Sequence, residues 1–149
     1  MNYVERDRFG IYSATTSTMD HTDPNHEQGP GPYVMGANTL LDNDVVNTQD
    51  ENLGDIKEIM PDMRSGRVSY AVLSFGGFLG LGEKLFAVPW SALKLDTVNK
   101  RFVLSASKDR LENAPGFDKD AWPNMADPTW ERGLHDFYGT QPYVNTREP

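Results

Sequence analysis

The chain predicts a small, mainly β protein: an antiparallel barrel with a helical C-terminal appendage and a poorly ordered N-terminal tail. Three observations carry this. Between Tyr33 and Ser105, apolar runs of four to eight residues alternate with turn residues such as Asp42-Asn43-Asp44, Ser65-Gly66 and Asp96-Thr97-Val98-Asn99, the pattern of short strands joined by tight connections. After Asp127-Pro128, the apolar residues Trp130, Leu134, Phe137 and Tyr138 recur at helical spacing. Before Tyr33, Ser, Thr, Asp, Gly and Pro dominate, ending in the breaker run Gln28-Gly29-Pro30-Gly31-Pro32.

Taken in order, residues 1–33 form the flexible tail. Its first dozen residues still hold Tyr3, Val4, Phe9, Ile11 and Tyr12, a cluster that either packs on the barrel or a neighbour as an arm or stays unordered. The barrel occupies 34–110. Val34–Leu41 reads as its first strand and Val45–Thr48 as its second. Leu53–Met60, with a glycine kink at Gly54, reads as the third, bracketed by turn chemistry and stopped by Pro61. From Val68 a strand alternates Val68, Tyr70 and Val72 on one face with Ala71, Leu73 and Phe75 on the other. An apolar glycine loop, Gly76 to Gly82, leads to Lys84–Val88 and the stop Pro89-Trp90. Ala92–Leu95 and Arg101–Ser105 complete the set, and closure of the sheet would remove unpaired edges. The appendage is 111–149, preceded by a helical turn at Lys108–Asn113. Its main helix has Asp127 as N-cap, Pro128 at the first position and Gly139 as C-cap. Phe117, Trp122, Trp130, Phe137, Tyr138 and Tyr143 are expected to pack it onto the barrel together with Trp90, since aromatic side chains bury much area each.

The stretch SGRVSYAVLSFGGFLGLGEKLFAVPW, Ser65 to Trp90, resembles the core of the PRC-barrel family, the small barrel named after the H subunit of the photosynthetic reaction centre and also found in a ribosome maturation factor. LENAPGFDKDAWPNMADPTWERGLHDFYGTQPYV resembles an appendage that follows the barrel in many stand-alone bacterial members. The resemblance covers about residues 35–144. It implies the fold above and a habit of docking onto larger assemblies. It does not carry over the membrane helix of the reaction-centre subunit or the extra N-terminal barrel of the maturation factor, because neither has a counterpart in residues 1–33.

Charge and composition narrow the functions. The 149 residues carry a formal charge of −8. Both flanks are acidic, while the barrel, with 10 acids and 9 bases, is near neutral. That balance argues against nucleic-acid binding, which relies on Lys and Arg neutralising phosphates. The absence of cysteine excludes disulfides, thiolate catalysis and Cys-based zinc sites and fits a cytoplasmic setting. The longest apolar run, Phe75–Leu81, is seven residues, against roughly twenty for a membrane-spanning helix. A soluble protein, at most peripherally bound to a membrane, is expected.

No motif for chemistry survives inspection. Gly77-x4-Gly82 has the opening spacing of a phosphate loop, but Glu83 stands where the lysine is needed, and a carboxylate there repels phosphate. Gly80-Leu81-Gly82 lacks the third glycine of a dinucleotide fingerprint, since Leu85 takes its place. Asp42-x-Asp44 begins like a calcium loop, but Asn47 replaces its glycine and Leu53 its bidentate glutamate. Asp118, Asp120 and Asp127 have no histidine among them. His21 and His26 lie in the tail, and His135 falls off the helix stripe, which predicts a surface or capping role. Ser74 has no elbow motif or nearby histidine. Arg64 and Arg67 flank a hairpin and are expected to be solvated. No catalytic residue, metal ligand or cofactor is assigned.

What remains is the loop's own chemistry. Phe78, Leu79 and Leu81 must be buried, either as a plug in the barrel end or against a partner. The leading reading is a non-enzymatic interaction module that docks onto a larger protein complex and self-associates as a homodimer, with Phe78, Leu79 and Leu81 as candidate interface residues. The alternative is a small-molecule or ion-binding regulatory module with a pocket between barrel and helix lined by Trp90 and Trp130.

Overall fold

A computed structural model describes residues 2–6, 33–75 and 84–143. One turn of helix, α1 (Ala37–Leu40), precedes β1 (Asp44–Val46), β2 (Asn52–Pro61), β3 (Val68–Phe75) and β4 (Lys84–Pro89). A 3-10 turn at Trp90–Ala92 leads to β5 (Leu93–Asp96) and β6 (Arg101–Leu104). The helices α2 (Lys108–Glu112) and α3 (Pro128–Tyr138) follow. The strands form one curled sheet in the order β4-β3-β2-β1-β6-β5.

Two features differ from a closed antiparallel barrel. β1 pairs with β6 in parallel, Val45 opposite Phe102, while the other pairings are antiparallel. Among the described residues the sheet is a half-barrel, with β4 and β5 at its edges. The physical reason lies at Pro89. The chain leaves β4 through the 3-10 turn and enters β5 at the opposite edge, so the two edge strands are joined by a corner and not by a ladder. The β4 edge is partly covered by Phe117, which exchanges two backbone hydrogen bonds with Leu85, at 3.0 and 2.8 Å.

The expected strand Val34–Leu41 is instead an extended entry and the single turn α1. Both sides of β1 are already occupied by β2 and β6, and the turn drops Leu40 into the core, 8% exposed. Buried Asn43 holds it by donating Nδ2–H to the Thr39 carbonyl at 2.6 Å. The glycine kink is real. Gly54 has φ +116, and a Cβ there would lie 2.1 Å from the Ser74 carbonyl oxygen, so no other residue fits this crossing of β2 and β3.

The expectation of an unordered tail does not hold for residues 2–6. Tyr3 is 2% exposed and donates its N–H to the Lys100 carbonyl at 3.0 Å. Arg6 donates Nε–H to the Leu41 carbonyl at 3.0 Å. The hydrogen bond to Lys100 seats Tyr3 beside the β5–β6 turn. Residues 7–32 lie outside those described.

β3 alternates as read from the sequence. Ala71, Leu73 and Phe75 enter the main core with Val45, Leu53, Ile56, Phe86, Val88, Phe102, Leu104 and Leu111. Tyr70 points to a second cluster with Ala87 of β4 and Leu134 of α3. A strand buried on both faces must be covered twice, and α3 is the second cover.

Candidate functional site

The seam between α3 and the outer face of β3 and β4 buries a tyrosine, Tyr70, and a histidine, His135, side by side. α3 is set by its ends. Asp127 accepts the Thr129 N–H at 2.9 Å, Pro128 occupies the first turn, and Gly139 closes the helix at φ +69. One face then meets the sheet. Leu134 packs on Tyr70 and Ala87, with Met60, Phe117, Met125, Trp130 and Tyr138 around them. Trp130 meets Tyr70 edge-on, with ring centroids 5.3 Å apart and planes at 76°.

His135 belongs to this seam. Of the surface or capping role read from its place beside the stripe, the surface half is overturned, since the ring is 4% exposed and its centroid lies 6.0 Å from that of Tyr70. The apolar stripe is wider than the four aromatic and leucine positions, so the helix buries the next residue as well. Its Nδ1 shares a 2.7 Å hydrogen bond with Thr140 Oγ1, and the Thr140 N–H donates to the His135 carbonyl at 3.0 Å. Burial depresses the imidazole pKa, against the opposing pull of the Glu131 and Asp136 carboxylates, so the ring is neutral at neutral pH. Burial, with Glu131 and Asp62 adding to it, pushes the Tyr70 hydroxyl well above the usual phenol range.

Between the β2–β3 hairpin and α3 the seam opens into a cavity of about 310 Å³. Met60, Met63 and Met125 form soft walls, Tyr70 and His135 a polar floor, and Glu131, Asp62 and Arg64 supply the charges. Asp62 is held below the usual carboxylate range by the Arg64 backbone N–H at 2.8 Å and by the Arg64 side chain, Nε to Oδ1 3.3 Å. A hairpin turn thus fixes the arginine at the rim. A second hollow, also about 310 Å³, lies on the other flank of α3 and is apolar, between Phe117, Trp130 and Leu134.

The remaining sequence candidates are placed as follows. Phe78, Leu79 and Leu81 lie outside the described residues. Trp90 and Trp130 do not share a pocket. Trp90 packs against the main core, 5.8 Å from Phe102, while Trp130 lies in the α3 seam, because the corner at Pro89 turns Trp90 away from the helix. Asp42 is a turn residue at φ +65 and pairs with Lys57 at 3.2 Å. Among the described residues no three His, Asp or Glu side chains group as metal ligands. Arg64 and Arg67 are exposed, and Arg67 also sits 5.1 Å above the Tyr143 ring. Sequence reasoning missed the meeting of Tyr70, Glu131 and His135. One signal was present, since Glu131 and His135 are four residues apart and so share a helix face.

A family model described as the PRC-barrel domain matches residues 33–111. That span runs from the start of α1's approach to the end of the sheet and into α2, and leaves α3, one side of the seam, outside it. No curated protein matches the chain.

Proposed function

The chain belongs to the PRC-barrel domain family, and from that premise we propose that it is a non-enzymatic protein-interaction module that self-associates and docks onto a larger protein assembly. The observation that carries this reading is the family match across the whole sheet, since PRC-barrel domains are in general protein-interaction modules. Two further features support it. Among the described residues β5 pairs on one side only, with β6, and a strand edge of that kind can accept a partner strand. Phe78, Leu79 and Leu81 give the 76–82 segment three large apolar side chains beside glycines, the chemistry of an interface core. No helix among the described residues is long and apolar enough to cross a membrane. The proposed setting is the cytoplasm, with protein partners, no cofactor and no nucleic acid.

The test is a cross-linked pull-down from native lysate with Leu79→Asp as control, alongside solution mass by light scattering. A dominant partner or a dimer lost in the variant, with its melting curve unchanged, supports the interface. Unchanged mass and recovery would sink it, and loss of folding would make the loop a barrel plug.

A further inference from the structure

We propose that the cavity between the β2–β3 hairpin and α3 is a binding site for a small aromatic cation carrying N–H donors, of the amidinium or protonated N-heterocycle class. This stands apart from the docking function, because α3 and the lining residues Met125, Glu131, His135 and Tyr143 lie outside the matched barrel span.

The floor supplies the recognition. Tyr70 and His135 are each 4% exposed and both line the cavity. His135 spends Nδ1 on Thr140, and among the described residues neither its Nε2 nor the Tyr70 hydroxyl makes a hydrogen bond. Neither atom is among the sealed side-chain polar atoms without a partner, which are Asn43 Oδ1, Arg101 Nε and Tyr138 Oη, so both stay open to the cavity and the pair offers an acceptor and a hydroxyl to whatever enters. With Nδ1–H donating to Thr140, Nε2 is an acceptor, and an N–H donor in the cavity selects that tautomer.

Charge sets the sign of the ligand. The lining holds two carboxylates, Asp62 and Glu131, against one guanidinium, Arg64, with His135 neutral. Asp62 is tied to Arg64. Glu131 is near enough to act electrostatically on both Tyr70 and His135. A cation placed between these three gains a charge-assisted hydrogen bond to Glu131 and contact with the Tyr70 ring. An anion is repelled by Glu131, and the one guanidinium in the lining, Arg64, is already paired with Asp62.

Shape and softness set the body. About 310 Å³ lies at the lower end of small-ligand pockets, roughly 300–1,000 Å³. Met60 and Met125 give adaptable thioether walls that favour an aromatic ring.

The test titrates the full-length protein with benzamidine, benzoate and benzyl alcohol, followed by amide chemical shifts in two-dimensional NMR. Saturable benzamidine shifts at Met60, Tyr70, Met125 and His135, with benzoate giving none and benzyl alcohol binding more weakly, support the site. Glu131→Gln should weaken benzamidine by about tenfold, the size of one charge-assisted hydrogen bond. Tyr70→Phe, which keeps the ring and the packing, should weaken it several-fold. Absence of saturable shifts overturns the proposal, as does equal binding of benzoate or an unchanged affinity in a folded Glu131→Gln protein.

Discussion

The two apolar clusters on either side of β3 and β4 are built to different rules. Inside the curl, Leu53, Ile56, Leu73, Phe86, Val88 and Leu104 are sealed at 0–1% exposure, and the cluster is wholly apolar. Outside it, three buried residues, Tyr70, Ala87 and Leu134, are ringed by half-buried methionines and aromatics, with a histidine sealed beside them. The buried residues of the inner cluster come from five of the six strands, α1, α2 and the Ala114 turn, with Leu93 and Leu95 of β5 half-buried against it. The outer one joins a single helix to two strands and keeps a cavity. The contrast separates what holds the fold from what is available for recognition: close packing leaves no room for a ligand, and an imperfect seam does.

This division predicts unequal costs. Phe86→Ala, in the middle of β4 and fully buried, should destabilise the protein by about 3–5 kcal/mol in urea unfolding. Leu134→Ala, at the seam, should cost less, about 2–3 kcal/mol, because an adaptable methionine and aromatic surround can partly collapse. The sheet's amide protection should survive in that variant while α3 loses its own. Equal costs, or loss of sheet protection on cutting Leu134, would show that the two clusters are one cooperative core.

The smallest expected effect is electrostatic and sharpens the contrast. His135 has a depressed folded pKa because it is buried. Its neutral form is therefore favoured by folding, and the stability it contributes is complete above its unfolded pKa of about 6.5. As pH falls below that value the unfolded chain takes up a proton that the folded chain resists, so stability declines until the folded pKa is passed. Melting temperatures of the wild type and His135→Gln, compared from about pH 8 to pH 5, should converge or cross on the acid side. Parallel curves would mean that the ring is not sealed in the seam.

Much of this was legible in the chain. The strands from Leu53 to Ser105 and both ends of α3 follow from spacing and end chemistry, because alternation and the i, i+4 stripe are local properties. Asp127 and Gly139 mark the helix through groups within a turn of themselves. The misreadings share a cause. Val34–Leu41 is apolar enough for a strand, but a strand needs a free neighbour, and β1 has none to offer. Trp90 and Trp130 look alike in sequence, yet the corner after Pro89 sends them to different clusters. Tyr3 sits beside a polar tail, and only the surface it meets near Lys100 shows that it is buried.

By itself, then, the amino-acid sequence determined a short-stranded sheet of PRC-barrel type followed by a capped amphipathic helix. Each of those rests on interactions between residues a few positions apart. Tertiary structure alone decided the parallel β1–β6 pairing, the open curl, the seating of residues 2–6, and the union of Tyr70 with Glu131 and His135. Those join segments 35 or more residues apart, and no local periodicity records which distant surfaces will exclude water together.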